Sequence, residues 1–437
     1  MRIPRQKIWY LLFTLLFSLC VVLYPMNMAF ATSAGDGQKE TKIQFTADGK
    51  GNIPVLWNDG WFQQDNKVYN HELAKLSLAL SASAYNQLDS QGTKDILLKN
   101  ALCHALGFQD YESFHYDETG EQKGAHVGFA LAQKNILQQN KQAVIVAVVI
   151  RGTHGAEWYD NFNLAQDGNY EAKYHSGFKA AADEVLQKLQ NRLKRIQSSG
   201  VDATGVKILV TGHSRGGAVA NIVAHMLNTS VGNEVQTYAY TFATPNVGKN
   251  AEESLAKDAN IFNIINPDDF ITTVPLEQWG YDKYGITMML PCKDNHAQYG
   301  DLLKIMKEKF TILTGGGEYI TFPQESKEQR SFAQEVAACA SSAKGYYETV
   351  HTIKFNDRII PISTFELFQY VGDFLSGDTT ARSKAINLLW TNMKGSDYSS
   401  LIQYLSSNAP KLTYIHAPEA YASWLEVGNE ELVFGEK

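Results

Sequence analysis

The chain has 437 residues, room for one large α/β domain with insertions, and its 39 basic against 46 acidic residues leave a net charge of −7. No basic run stands out from that balance, which argues against a nucleic-acid partner. Twenty-two tyrosines and 21 phenylalanines suit a large core and an apolar binding groove.

At the N-terminus, Arg2, Arg5 and Lys7 precede an apolar stretch from Ile8 to Tyr24, and Ala29-Phe30-Ala31 follows at the spacing of a cleavage site. This pattern predicts a signal peptide over residues 1–31, and hence a secreted protein with no integral membrane span after cleavage. An uncleaved anchor is the alternative. Residues 32–60 are polar and glycine-bearing, and a flexible lead-in is expected there. Cysteine usage is uninformative. Once Cys20 leaves with the signal, Cys103, Cys292 and Cys339 show no metal-ligand spacing and allow one disulfide at most.

Leu73, Leu76, Leu80 and Ala84 recur at helical spacing over 71–85, and a second helix is expected over 95–106 with Gly107 as its stop. Residues 125–133 and 143–150 read as neighbouring strands. The second is apolar on both faces, as an interior strand covered by helices must be. It runs into Arg151-Gly152-Thr153 and a loop bearing Trp158 and Asn161. A long helix follows over 178–196, with Phe178, Ala182, Val185, Leu189, Leu193 and Ile196 on one stripe. Further strands are expected before Gly212 and over 235–242, 260–265 and 284–290. Strands alternating with helices in this way predict a mostly parallel, doubly wound sheet, whose ligand sites collect at the C-terminal strand edge. The core is expected to span 61–298. From 299 to 408 the pattern turns to helical pieces, such as 332–343, 363–375 and 381–393, which reads as a helical insertion or cap. Residues 409–437 then return to the core.

The stretch Lys207 to Gly217 organises the rest. An apolar strand ends at Gly212-His213-Ser214-Arg215-Gly216, and a helix of small residues begins directly after it. This is the G-x-S-x-G nucleophile elbow, in which a serine sits on a sharp strand-to-helix turn beside backbone N–H groups suited to an oxyanion. An acid and a histidine are expected later in the chain, in that order. Asp269 lies just after a strand, with Asp268 as its competitor. Of the eleven histidines, His296, His351 and His416 come after the acid.

Several blocks taken in order resemble the fungal-type (class three) triacylglycerol lipases, in their bacterial secreted branch. They are Arg151-Gly152-Thr153, His175-Ser176-Gly177-Phe178, Gly212-His213-Ser214, Thr241-Phe242-Ala243-Thr244-Pro245-Asn246-Val247-Gly248 and Asn266-x-x-Asp269. The resemblance implies an α/β-hydrolase fold and a Ser214–Asp269–histidine triad, with Asp269 preferred to Asp268 as the fourth residue of Asn-x-x-Asp. It also implies an oxyanion hole from the Thr153 and Arg215 backbone N–H groups, and no cofactor or metal. His416, in His416-Ala417-Pro418-Glu419-Ala420-Tyr421, matches the H-x-x-x-x-Y block of bacterial members and is the preferred base. His296, in the shorter H-x-x-Y form, is the alternative. Arg215 departs from the family, which usually has an aliphatic residue there. The implied substrate is a lipid or other ester, met at a lipid–water interface. Phospholipase A1, a short-chain carboxylesterase, or a non-catalytic surface-binding protein on the same scaffold are the other readings.

Overall fold

A computed structural model describes residues 39–85, 94–116, 126–138, 141–152, 173–230, 235–273, 280–319, 350–355, 358–363 and 414–435. The expected signal peptide and the segments 332–343, 364–375 and 381–393 lie outside these residues. Strands β1 (Lys39–Gln44) and β2 (Asn52–Trp57) pair antiparallel, Lys39 opposite Trp57. Helix α1 (His71–Ser83) follows, then α2 (Ile96–Lys99), which runs on as a π-helical stretch, Asn100–Ala105. Next come β3 (Gln109–Phe114), β4 (Phe129–Gln138), β5 (Lys141–Ile150), α3 (Ser176–Ser198), β6 (Val206–His213), α4 (Arg215–Ser230) and β7 (Gln236–Phe242). The short β8 (Gly248–Lys249), β9 (Ile261–Ile265), the short β10 (Tyr281–Asp282), β11 (Ile286–Met289) and α5 (Tyr299–Leu313) continue the chain. A separate antiparallel hairpin, β12 (Val350–Phe355) with β13 (Arg358–Ser363), precedes α6 (Pro418–Leu425) and α7 (Glu430–Phe434).

Seven strands form the main sheet in the order β11-β9-β7-β6-β5-β4-β3. The five from β11 to β5 run parallel, while β4 and β3 close one edge antiparallel. This is an α/β-hydrolase fold. The pleat of β5 explains its continuous apolar sequence, because successive side chains face opposite layers. Ile145, Ala147 and Val149 join a core shared with α1, the β1–β2 hairpin, α5 and α6. Val144, Val146, Val148 and Ile150 join a second core under α3 and α4.

Helix α1 starts where the Asn70 side chain accepts from the Leu73 amide at 3.0 Å. Residues Leu76 to Ser83 are all buried, so it behaves as an interior helix rather than an amphipathic one. Ser81 is accommodated by pairing: its Oγ lies 2.9 Å from the Ser77 carbonyl and 2.9 Å from the Thr211 hydroxyl on β6.

Two expectations need correction. Residues 32–60 are not a flexible lead-in throughout, because from Lys39 they form the β1–β2 hairpin. Ile43, Phe45, Ile53, Val55 and Trp57 are all buried, and alternate positions along each strand face the core. The Trp57 ring meets Phe108 edge-on at 5.4 Å and takes the Lys134 ammonium over its face at 4.2 Å. Its indole N–H donates to Asp59 Oδ1 at 2.6 Å. Residues 299–408 also differ from a purely helical piece. Helix α5 buries Leu302, Met306, Phe310 and Leu313 in the main core, and 350–363 holds the β12–β13 pair, rich in β-branched residues.

Trp57→Ala removes a fully packed aromatic and is expected to cost about 3–5 kcal/mol. Urea unfolding followed by far-ultraviolet dichroism measures it; a hairpin that contributed nothing would show under about 0.5 kcal/mol.

Candidate active site

Strand β6 delivers its last residues to the C-terminal sheet edge, and the chain turns there into α4. Ser214 occupies the turn with φ 59°, a left-handed conformation that non-glycine residues seldom adopt. Its amide donates to the Phe242 carbonyl at 2.9 Å, and its carbonyl accepts from the Ala218 amide at 3.0 Å. A side chain at Gly212 would run into the Gly216 carbonyl, and one at Gly216 into the Ile150 carbonyl. The spacing of G-x-S-x-G is therefore set by two close backbone crossings on either side of the strained serine.

Three of the sequence-derived residues converge here. His416 Nε2 lies 2.8 Å from Ser214 Oγ, and His416 Nδ1 lies 2.7 Å from Asp269 Oδ2. A carboxylate can only accept, so Nδ1 carries the proton and Nε2 is left to accept from the serine hydroxyl. All three side chains are buried. Asp269 is fixed by its own turn: its amide donates to the Asn266 carbonyl at 2.9 Å, and its Oδ1 accepts from the Ile271 amide at 3.1 Å. Asp268 uses its amide on the Asn266 side chain at 3.1 Å. His296 lies in the turn after β11, where its Nδ1 accepts from the Gln298 amide at 3.2 Å. His351 is paired in β12 opposite Ile362.

Thr153, Trp158 and Asn161 lie outside the described residues. The preceding Gly152 packs so closely that a side chain on it would meet the Tyr85 hydroxyl. Arg215 is the first residue of α4, which puts its amide in the first helical turn, where N–H groups point out of the helix end. Its side chain is buried, with Nη2 donating to the His126 carbonyl at 3.3 Å.

Two tyrosines complete the arrangement, and sequence reasoning assigned neither a role. The Tyr421 hydroxyl accepts from the Asn266 amide at 3.0 Å and donates to Asp269 Oδ2 at 2.8 Å. Burial first, and then the Asp269 carboxylate, push its phenol well above the usual tyrosine range, so it stays a donor. The H-x-x-x-x-Y block could have signalled this: one short segment brings both the imidazole and the phenol to Asp269. Tyr85 O–H pairs with His213 Nδ1 at 2.7 Å, and the His213 ring lies 5.0 Å from that of His416. Burial first, and then the adjacent His416, hold His213 well below the usual histidine range. It is a neutral ring packed beside the His416 imidazole. His175, in the second of the sequence blocks, is structural as well: its amide bonds the Val247 carbonyl at 2.9 Å and its ring stacks on Phe178 at 4.1 Å.

A nucleophile elbow on a mostly parallel sheet, with an imidazole and a carboxylate in line behind the serine, defines the class as an α/β-hydrolase. Residues 147–279, a segment running from within β5 past the acid turn, match the model of the lipase (class 3) family. A phospholipase A(1), chloroplastic, from Arabidopsis thaliana is 30% identical over 111 residues, covering 25% of this chain and 24% of the plant protein. The match thus spans about a quarter of that relative's length. Among solved structures, the lipase from Rhizopus microsporus var. chinensis is 17% identical, covering 54% of this chain and 76% of that one, with a TM-score of 0.35. The triacylglyceride lipase of Rhizomucor miehei is 18% identical, covering 51% and 80%, with a TM-score of 0.35.

Tyr421→Phe leaves the Asn266 amide buried without its acceptor, which costs about 1–3 kcal/mol; urea unfolding reads it, and an unchanged midpoint would remove the clamp. His213 gives a pH signature. Its folded pKa is depressed below the ordinary 6.5, so its contribution is intact above that value and is lost as the pH falls below it. The stability gap between the native chain and His213→Asn should therefore narrow from pH 8 to pH 5.

Proposed function

We propose that the chain is a serine hydrolase that cleaves carboxylic esters of lipids through an acyl-enzyme. The observation that carries this reading is the continuous hydrogen-bonded line Ser214 Oγ–His416 Nε2, His416 Nδ1–Asp269 Oδ2, at 2.8 and 2.7 Å. The class 3 lipase match over 147–279 supports the lipid-ester assignment.

In the proposed acylation, Ser214 Oγ forms a bond to the ester carbonyl carbon as its proton passes to His416 Nε2. Asp269 accepts from Nδ1 throughout and stabilises the imidazolium; Tyr421 keeps that carboxylate oriented. The C–O bond to the alcohol then breaks, and the alcohol leaves with the proton from His416. Water attacks the acyl-serine carbonyl carbon and gives a proton to the same nitrogen; the acyl–Oγ bond then breaks, His416 returns that proton to Ser214 Oγ, and the acid leaves. Backbone N–H groups of Thr153 and Arg215 are assigned to the oxyanion, where one donor is worth roughly 10²–10³ in rate. A phospholipid is the second substrate reading, favoured by the identity to the plant phospholipase A(1). Export rests on the basic and apolar pattern of residues 1–31, and places the proposed activity outside the cell membrane.

Ser214→Ala and His416→Ala should each lower kcat on a p-nitrophenyl acyl ester by roughly 10⁴–10⁶-fold, while His296→Ala leaves it near the native value. Labelling by a fluorophosphonate should follow the same order. Equal hydrolysis by native chain and Ser214→Ala would remove Ser214 from the reaction, and absence of a fluorophosphonate adduct on Ser214 would favour a non-catalytic binding protein on this scaffold.

A further inference from the structure

A second cluster of reactive side chains lies outside the Ser214 line. His115 directly follows β3, His126 precedes β4, and Glu184 sits on α3. The strand ends meet because Phe114 pairs with Phe129 across the sheet, and their rings stack at 4.7 Å. Helix α3 is pressed against this edge by Ala181, Ala182 and Val185, all buried, which turns Glu184 toward both histidines. His115 Nε2 lies 2.6 Å from Glu184 Oε1, and His126 Nδ1 lies 2.9 Å from Glu184 Oε2. The two imidazoles stack at 4.5 Å with 30° between their planes. One ligand atom from each residue falls within 4.8 Å of the other two. His115 adopts φ 58° to reach this position.

We propose that His115 Nε2, His126 Nδ1 and the Glu184 carboxylate form a zinc-binding site that staples the β3 and β4 ends to α3. Two imidazoles and one carboxylate are a known zinc donor set, with the fourth tetrahedral position left for water. Ligands held at about 2.0–2.1 Å in a tetrahedron stand roughly 3.3–3.4 Å apart, so the two carboxylate–imidazole contacts would open by about 0.4–0.8 Å. The side chains are 17%, 40% and 21% exposed for His115, His126 and Glu184, which admits both ion and water. Imidazole nitrogen favours zinc over magnesium, which prefers an all-oxygen shell. The site also touches the elbow's surroundings, because Arg215 Nη2 donates to the His126 carbonyl at 3.3 Å.

Isothermal titration of the chelator-treated full chain with zinc chloride tests the proposal. One zinc per chain is expected at this site, with no matching heat from magnesium chloride and a rise in thermal midpoint of a few degrees. Glu184→Gln and His126→Ala should each weaken zinc binding by at least about 10-fold. Diethylpyrocarbonate modification, mapped by mass spectrometry, reads the native chain directly. Zinc should protect His115 and His126 and leave His296 reactive. Absence of saturable zinc binding, binding unchanged in both variants, or no protection of His115 and His126 would reduce the cluster to a hydrogen-bonded clasp and overturn the proposal.

Discussion

The candidate site depends on a backbone conformation that an L-residue avoids. Ser214 at φ 59° costs on the order of 1–3 kcal/mol, and the surrounding structure has to impose it. It does so through the Phe242 carbonyl, the Ala218 amide and two crossings too tight for any side chain at Gly212 or Gly216. Strand β6 supplies the rigid base, since all eight of its residues are buried between two apolar layers. A hydroxyl at this junction stands clear of both the strand ladder and the helix.

Rigidity around the elbow comes as much from polar pairing as from apolar packing. Thr211 Oγ1 donates to the Tyr240 carbonyl at 2.8 Å, tying β6 to β7 beneath the serine. Asn221 on α4 and Thr241 on β7 both donate to Asn263 Oδ1 on β9, at 2.8 and 2.6 Å, and Asn263 in turn donates to the Tyr284 carbonyl at 2.9 Å. Inside a low-dielectric core such groups are costly unless paired, and paired they allow few alternative arrangements. The strands that present Ser214 and Asp269 are cross-linked by this network, which fixes the distance over which His416 has to reach.

What could be read from the sequence was what is local. The uninterrupted apolar run of β5, the glycine-bracketed serine and Asn266-x-x-Asp269 each carry their geometry within a few residues. The β1–β2 hairpin escaped because its buried positions, Ile43 and Phe45 against Ile53, Val55 and Trp57, are few and flank the glycine-bearing turn 46–51. The choice of His416 over His296 rested on a short block, because contact between residues 147 apart is a property of packing. Tyr85 and Tyr421 were harder still. Their hydroxyls matter only through partners supplied by distant segments, and Tyr421 and His416 both lie beyond the stretch 147–279 that matches the lipase family.

The position of His416 has a consequence for how the chain matures. It stands 202 residues beyond Ser214, on the same short segment as the tyrosine that orients Asp269. During synthesis the elbow and acid turn can fold while the ribosome is still extending the chain, but the serine then has no proton acceptor and Asp269 lacks two of its donors. Docking of residues 414–421 supplies all of these at once. A product truncated before this segment would keep the elbow and the acid turn but lose both the His416 imidazole and the Tyr421 hydroxyl that meet Asp269.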